Sequence, residues 1–238
     1  LIQDEPAARR ICELGGGANP ALTLKQVERL GVECTLLDAS ESELATAPAG
    51  YARLRLDVCD ENAAPTAEFD FVYSRMLAEH VRRPVEFHRT VHRMLRPGGR
   101  AFHFFPTLYS PVFAVNRLLP NWLTEPALLA IQPIRRRSGP LGKFPAYYRW
   151  RLGPCPGQIR RFQSVRFEVE EYWGFFGHGG DCTWGPGCDH RLPPLRRFHE
   201  RLCRALVHRP VPWLTSYAYV LLRKPLAANL QERRAAPS

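Results

Sequence analysis

The chain has 238 residues, of which 45% are hydrophobic and 24% charged, enough for one large domain or two small ones around a buried core. That balance excludes a disordered or fibrous chain, and no run of 18 apolar residues free of charge is present, so a soluble globular protein without a spanning helix is expected. The net charge of +10 is one-sided, because residues 1–105 carry 13 Lys+Arg against 15 Asp+Glu while residues 106–238 carry 20 against 8.

The first half alternates strand and helix signals. Arg10 to Leu14 is a short apolar strand running into Gly15-Gly16-Gly17, and Pro20 to Leu30 follows with helical spacing. Val32 to Leu37 is a second strand, Glu41 to Thr46 a short helix, Ala52 to Val58 a third strand and Phe69 to Ser74 a fourth. Pro84 opens a helix that runs to Leu95 and stops at Pro97-Gly98-Gly99, before a fifth strand from Ala101 to Phe105. Strict alternation of strand and helix predicts a parallel sheet with helices on both faces.

Residues 106–164 are broken by proline from Pro106 to Pro156 and read as an inserted lid of short helices and loops, rich in aromatics such as Phe113, Trp122 and Phe144. Regular structure returns with a strand from Val165 to Tyr172, a helix from Leu195 to Val207 and a last strand from Thr215 to Leu222. The tail after Pro225 is read as frayed. The expected division is therefore residues 1–105 as the binding half of the core, 106–164 as the lid, 165–225 as the rest of the sheet and 226–238 as a flexible tail.

Seven cysteines, an odd number, are spread along the chain, and Cys12, Cys34 and Cys59 fall in apolar runs read as buried strands. A reducing, cytoplasmic compartment without a disulfide framework is expected. The numbering opens on Leu1 with no basic, then apolar, then small-residue leader, which leaves room for residues upstream. Thirty of the 33 basic residues are Arg, which suits pairing with carboxylate or phosphate; an arginine-favouring genome takes the larger share of the explanation.

The chemistry concentrates at three strand ends. Glu13-Leu14-Gly15-Gly16-Gly17-Ala18-Asn19 is a strand-to-helix turn where glycines admit a ligand close to the backbone and a helix N-terminus offers free N–H groups. Asp38 ends the next strand, placed to take both hydroxyls of a ribose, and Asp57-Val58 ends the third, placed to accept from an adenine amino group. Three acids at the carboxyl ends of successive strands point to one crevice.

This constellation resembles the class I S-adenosylmethionine-dependent methyltransferases. Glu13 to Asn19 is similar to their acid-x-Gly-x-Gly-x-Gly motif, with Asn19 where the last glycine would stand. Leu36-Leu37-Asp38 resembles the ribose-binding strand, Leu56-Asp57-Val58 the adenine turn, Phe69 to Ser74 the fourth strand and Leu95-Arg96-Pro97-Gly98-Gly99 the turn before the fifth. A nicotinamide enzyme is the weaker match, since that last turn belongs to the methyltransferase pattern. The resemblance covers residues 9 to 105 and implies an α/β, Rossmann-like seven-stranded sheet with its last strand antiparallel and helices on both faces. It implies S-adenosyl-L-methionine as cofactor, with Glu13, Gly15, Gly16, Gly17, Asn19, Asp38, Ala39, Asp57, Val58, Ser74 and Arg75 around it. Glu13 would bear on the methionine amino group directly or through water, and the reaction would be in-line displacement at the sulfonium methyl, with a base needed only for a hydroxyl-like acceptor.

The candidate bases or substrate contacts are His80, after the fourth strand, and His178, between glycines after the sixth, each weighed against a structural role in its loop. Some family members bind a metal through Glu-x-x-Glu-His at the first place, but Met76 replaces the first Glu here, and no metal is expected. His103 reads as a hydrogen-bonded core histidine, and His88 with His92 flank the apolar face of a helix without a third ligand. The spacing of His178, Cys182, Cys188 and His190 matches no defined zinc pattern. Lys143 to Trp150 combines aromatics and cations, either as an acceptor pocket or as packing of the lid onto the sheet. Arg135-Arg136-Arg137 reads as a solvated loop, with phosphate or peripheral contact to an anionic membrane as the alternative.

The leading functional expectation is methyl transfer to a small-molecule acceptor, at oxygen. The alternatives are an RNA or other nucleic-acid methyltransferase, favoured by the +12 balance of the second half but lacking a binding module or an Asn/Asp-Pro-Pro-aromatic motif, and a non-methylating scaffold that keeps the cofactor fold. The sequence leaves the oligomeric state open.

Overall fold

Short apolar runs ended by glycine or a capping residue set the element order. The computed structural model describes residues 9–108, 118, 146–150, 153–175, 201 and 217–226. Along the chain these give β1 (Arg10–Leu14), α1 (Leu24–Leu30), β2 (Glu33–Asp38), α2 (Glu41–Thr46), β3 (Ala52–Arg55), β4 (Phe69–Arg75), a 3-10 turn (Ala78–His80), α3 (Pro84–Met94), β5 (Leu95–Pro106), α4 (Pro156–Ser164), β6 (Glu168–Phe175) and β7 (Tyr217–Arg223). The strands form one seven-stranded sheet in the order β3-β2-β1-β4-β5-β7-β6. The β1 to β5 pairings are parallel, and β7 runs antiparallel to β5 and β6. The expected mixed sheet with an antiparallel last strand is observed.

Both faces of the sheet are covered, and the alternation of side chains along each strand explains how. Cys12, Leu14, Leu37, Val72, Ala101, Phe105, Val220 and Leu222 point to one face, where Phe87, Val91 and Met94 of α3 and Phe162 of α4 complete a cluster. Ile11, Cys34, Leu36, Phe71, Tyr73 and Leu221 point to the other, against Val27 of α1 and Leu44 of α2. Strands buried on two sides have no polar face to spare, hence their continuous apolar runs. Phe69, Phe71, Phe87, Phe105 and Phe162 are each under 2% exposed, and such burial contributes roughly 1.5–3 kcal/mol apiece.

Several boundaries differ from the sequence reading for identifiable reasons. Helix α1 starts at Leu24, because Thr23 and Gln26 form a reciprocal capping box there, and Pro20 lies in the preceding turn. Strand β3 ends at Arg55, so Cys59 lies beyond it and is half-buried rather than in a strand core. Strand β5 begins at Leu95 and contains the Pro97-Gly98-Gly99 turn, because Gly98 N–H donates to the Lys224 carbonyl and Lys224 N–H to that of Gly99, extending the pairing with the end of β7. Strand β6 begins at Glu168, since α4 runs to Ser164 and Arg166 takes a left-handed φ of 69° that turns the chain. Of the expected helix from Leu195 to Val207 only Arg201, which is helical, is described; the bulk of the expected lid and the tail from residue 227 lie outside the described residues.

Candidate functional site

The chain builds β1, β2 and β3 towards one edge of the sheet, then returns to place β4 on the other side of β1. This reversal opens a crevice at the carboxyl ends of β1 and β4, the usual ligand position in an open α/β sheet. The glycine turn lies at its mouth. Gly15 has φ 71°, and its N–H donates to the Leu37 carbonyl at 2.7 Å, joining the exits of β1 and β2. A Cβ on Gly16 would lie 2.7 Å from Cγ of Glu13, and one on Gly17 would lie 2.6 Å from Cβ of Glu43 and 3.2 Å from Asp38 Oδ2. The turn is therefore seated directly on the acids beneath and beside it, and only backbone can occupy that space. This close cradle fits a ligand held by main-chain groups.

The Glu13 carboxylate is 2% exposed. Its two oxygens accept the Ala21 N–H at 3.0 and 2.9 Å, and Oε2 also accepts the Tyr73 hydroxyl at 2.9 Å. Burial raises its pKa above the ordinary carboxylate range, an effect opposed by the Ala21 N–H, the Tyr73 hydroxyl and the Arg75 charge. Burial also pushes the neighbouring Cys34 thiol up to about 11.

The other residues of the motif collect along the same edge. Asp38 is half-buried, and its Oδ1 accepts the Ser40 N–H at 2.9 Å at the start of α2, with Ala39 exposed between them. The Leu56 N–H donates to the Asp38 carbonyl at 3.0 Å and so ties the exit of β3 to that of β2. Asp57 follows, exposed, its Oδ1 accepting the Cys59 N–H at 2.8 Å and its Oδ2 lying 3.9 Å from Arg83 Nη2; Val58 packs onto the core. Ser74 is buried at the end of β4 with its Oγ 2.8 Å from His103 Nδ1. The exposed Arg75 spans the crevice mouth, its Nη2 donating to the Asn19 carbonyl at 3.3 Å.

Of the two histidines expected to act as bases, His80 lies in the 3-10 turn after β4, one-third exposed, with Nε2 3.7 Å from Oε1 of the buried Glu79. His178, together with Cys182, Cys188 and His190, lies outside the described residues, as do Lys143 to Pro145 and Arg135 to Arg137. His103 is a buried core histidine bonded to Ser74. His88 is packed among Phe87, His103, Trp150 and Phe162, and His92 lies against Phe167. Among the described residues no group of three His, Cys, Asp or Glu is placed to hold a metal. No helix among them is long and apolar enough to cross a membrane.

Residues 146–150, within the expected lid, reach the same edge. Tyr147 and Tyr148 both donate their N–H to the Glu79 carbonyl, at 2.7 and 3.0 Å, Arg82 lies over the Tyr147 ring, and Trp150 stacks on His88. Residues 146–150 thus pack onto the sheet beside His80.

Two contributors escaped the sequence reading, Tyr73 and Ala21. Tyr73 shares a face of β4 with Phe71, and only the pairing of β4 with β1 brings it into register with Glu13. Ala21 acts through its backbone N–H, which leaves no trace in residue type.

Comparison with known proteins agrees with this architecture. Residues 13–103 match the profile of a family described as a methyltransferase domain. A ubiquinone biosynthesis O-methyltransferase of Caulobacter vibrioides is 35% identical over 96 residues, covering 36% of this chain and 37% of the relative. The aligned segment thus spans little more than a third of that curated relative. Among solved structures, an S-adenosylmethionine-dependent methyltransferase from Mesorhizobium loti superposes with a TM-score of 0.53 at 18% identity, over 91% of each chain. One from Archaeoglobus fulgidus gives 0.53 at 13% identity, over 92% of this chain and 87% of that one. At such identities the structural likeness shows the fold. In the domain that residues 13–103 match and in the order of its seven-stranded sheet, the chain is similar to the S-adenosylmethionine-dependent methyltransferases.

Proposed function

We propose that this protein transfers the methyl group of S-adenosyl-L-methionine to oxygen on a small-molecule acceptor. The observation that carries the reading is the seating of the glycine turn against Glu13, Glu43 and Asp38, with Asp57 just beyond the exit of the next strand, on the edge where an open α/β sheet takes a nucleotide. The O-methyltransferase names of the curated relatives support oxygen as the target.

In this reading Asp38, with Ala39 beside it, takes the ribose hydroxyls; Asp57 and Val58 take the adenine; and Gly15, Gly16, Gly17, Asn19, Ser74 and Arg75 surround the methionine end. Glu13, enclosed by Ala21 and Tyr73, serves that end by shaping the turn. Bound cofactor supplies an electrophilic methyl on a sulfonium sulfur, whose transfer to the acceptor oxygen leaves S-adenosylhomocysteine. The protein's part is to align acceptor and methyl and to exclude water. In this reading the acceptor hydroxyl gives up its proton to His80, whose Nε2 lies 3.7 Å from the Glu79 carboxylate, or to His178. The segment between β5 and α4 binds the acceptor in this reading, a role supported by the docking of Tyr147 and Tyr148 on Glu79.

Calorimetric titration of S-adenosylmethionine into the wild type and Asp38→Ala tests the cofactor reading. Binding that weakens at least tenfold in the variant is expected, the loss of a paired charged hydrogen bond being worth about 1.5–3 kcal/mol. A folded wild type that binds nothing would sink it. An acceptor screen then begins with hydroxylated aromatic rings, the chemistry from which a quinone methoxy group is made, and reads S-adenosylhomocysteine formation. The +12 balance of residues 106–238 favours a second reading, a nucleic-acid acceptor. A steep fall of RNA binding with salt is its signature.

A further inference from the structure

Glu13 stands at the exit of β1, 2% exposed and closed over by the turn that follows it. Both oxygens are bound to the Ala21 N–H, and one of them also to the Tyr73 hydroxyl. Ala21 lies at the far end of the turn that begins at Gly15, so Glu13 fastens the exit of that turn back onto the strand from which it left. Tyr73 comes from the neighbouring strand and is paired in register with Glu13.

We propose that Tyr73 is a positioning residue for the cofactor turn, its hydroxyl holding the Glu13 carboxylate where it fastens Ala21 and keeps residues 15–21 in the conformation that receives the ligand. The inference rests on the S-adenosylmethionine reading above. Its physical basis is the freedom of the segment: three consecutive glycines have more backbone states to lose than any other residues. A ligand that needs one conformation of such a turn is weakened by the factor by which that conformation is depopulated. Hydrogen bonds to an ionised carboxylate are the strong ones, so two donors on Glu13 make an effective fastening. Gly16 lies so close to the Glu13 side chain that a shift of the carboxylate is passed on to the turn.

The same contacts give a readout that a merely structural tyrosine would not move. The groups facing Glu13 are Tyr73 and Arg75 of β4, Cys34 of β2, Cys12 of β1 and Tyr51 ahead of β3. Burial raises Glu13, while the Ala21 N–H, the Tyr73 hydroxyl and Arg75 hold it down. Without the hydroxyl the carboxyl protonates at a higher pH, and acid releases the turn sooner.

The test is calorimetric titration of S-adenosylhomocysteine, over a range of pH, into wild type, Tyr73→Phe and Tyr219→Phe, with a thermal melt of each. Tyr219 makes a hydroxyl–carboxylate bond of similar length, to Glu171 at 3.0 Å, at the surface on the far strands of the sheet. Tyr73→Phe is expected to bind about tenfold more weakly, as for a competent turn populated one-tenth as often, and to lose affinity at a higher pH on acidification. Tyr219→Phe is expected to bind as the wild type does. Equal affinity and an unchanged pH profile in folded Tyr73→Phe overturn the inference and leave the cofactor reading standing. A folded wild type that does not bind overturns both. If Tyr73→Phe does not fold, Glu13→Gln carries the test: weaker binding with a flat acid-side profile supports the inference, and unchanged binding overturns it.

Discussion

At Gly16 the backbone passes within contact of the Glu13 side chain, and the consequence is testable with one methyl group. In Gly16→Ala the new Cβ would sit 2.7 Å from Cγ of Glu13, so the turn or the carboxylate must shift, at a cost of about 1–3 kcal/mol for an overpacked site. Weaker cofactor binding by calorimetry, with the melting temperature lowered by a few degrees, is the expected outcome. Wild-type affinity would show that the turn is not held against Glu13. The acids at strand exits were legible in the sequence because position in a βαβ pattern nearly determines where they end up. The direction in which Glu13 faces was not, because it depends on which strand lies beside β1 and on an amide N–H that any residue at position 21 except proline would offer.

Short helices at the scale of single elements depend on their ends. Helix α1 has seven residues, too few to be stable on propensity alone, and begins at a capping box in which Gln26 N–H donates to Thr23 Oγ1 and Thr23 N–H to Gln26 Oε1. Thr23→Ala should lower stability by about 1 kcal/mol, read from the denaturant midpoint at constant slope. At the other end of the motif, Lys224 Nζ donates to the carbonyls of His92 and Leu95 at 2.8 and 2.6 Å, closing the C-terminus of α3 from β7. Lys224→Met keeps much of the stem but leaves those carbonyls unpaired, and a loss of about 1–3 kcal/mol is expected in the same measurement. The first cap was present in the sequence as Thr-x-x-Gln, although proline at position 20 drew the expected start too early. The second joins residues more than a hundred positions apart and had no local signature.

For the whole molecule, pH is the variable that reports on the packed sheet and its helices. Burial, and then the charges of Lys224 and Arg166, lower the His92 pKa from 6.5 to about 4, and its Nε2 has no hydrogen-bond partner among the described residues. A folded-state value below the unfolded one means that the unfolded chain binds the extra proton, so stability falls as pH drops from about 6.5 to about 4. Asp70 adds to the acid loss at lower pH: despite burial, the N–H groups of Arg10 and Arg9 and the Arg96 guanidinium hold it below 3.8. Glu13 acts in the opposite sense, since its raised value makes the folded state the better proton binder above 4.5 and offsets part of the His92 slope. Urea unfolding at pH 7 and pH 5 should therefore show lower stability at pH 5, with a smaller difference in His92→Leu. An equal pH dependence in the variant would remove His92 from the account.

The sequence by itself determined the class of fold and pointed to the edge of the candidate site. Apolar runs too short for helices, alternating with amphipathic segments, require a two-sided parallel sheet, and glycine and acid residues at the strand exits mark its ligand edge. Tertiary structure decided the rest, because register and strand order are long-range choices. The placing of β4 against β1 brings Tyr73 onto Glu13, and the pairing of β7 with the Pro97-Gly98-Gly99 turn starts β5 at Leu95. The packing of α3 against α4 and Trp150 makes His88 part of an aromatic cluster. Local preference acts over a few residues, whereas these contacts form only when the sheet has closed and its two faces are buried.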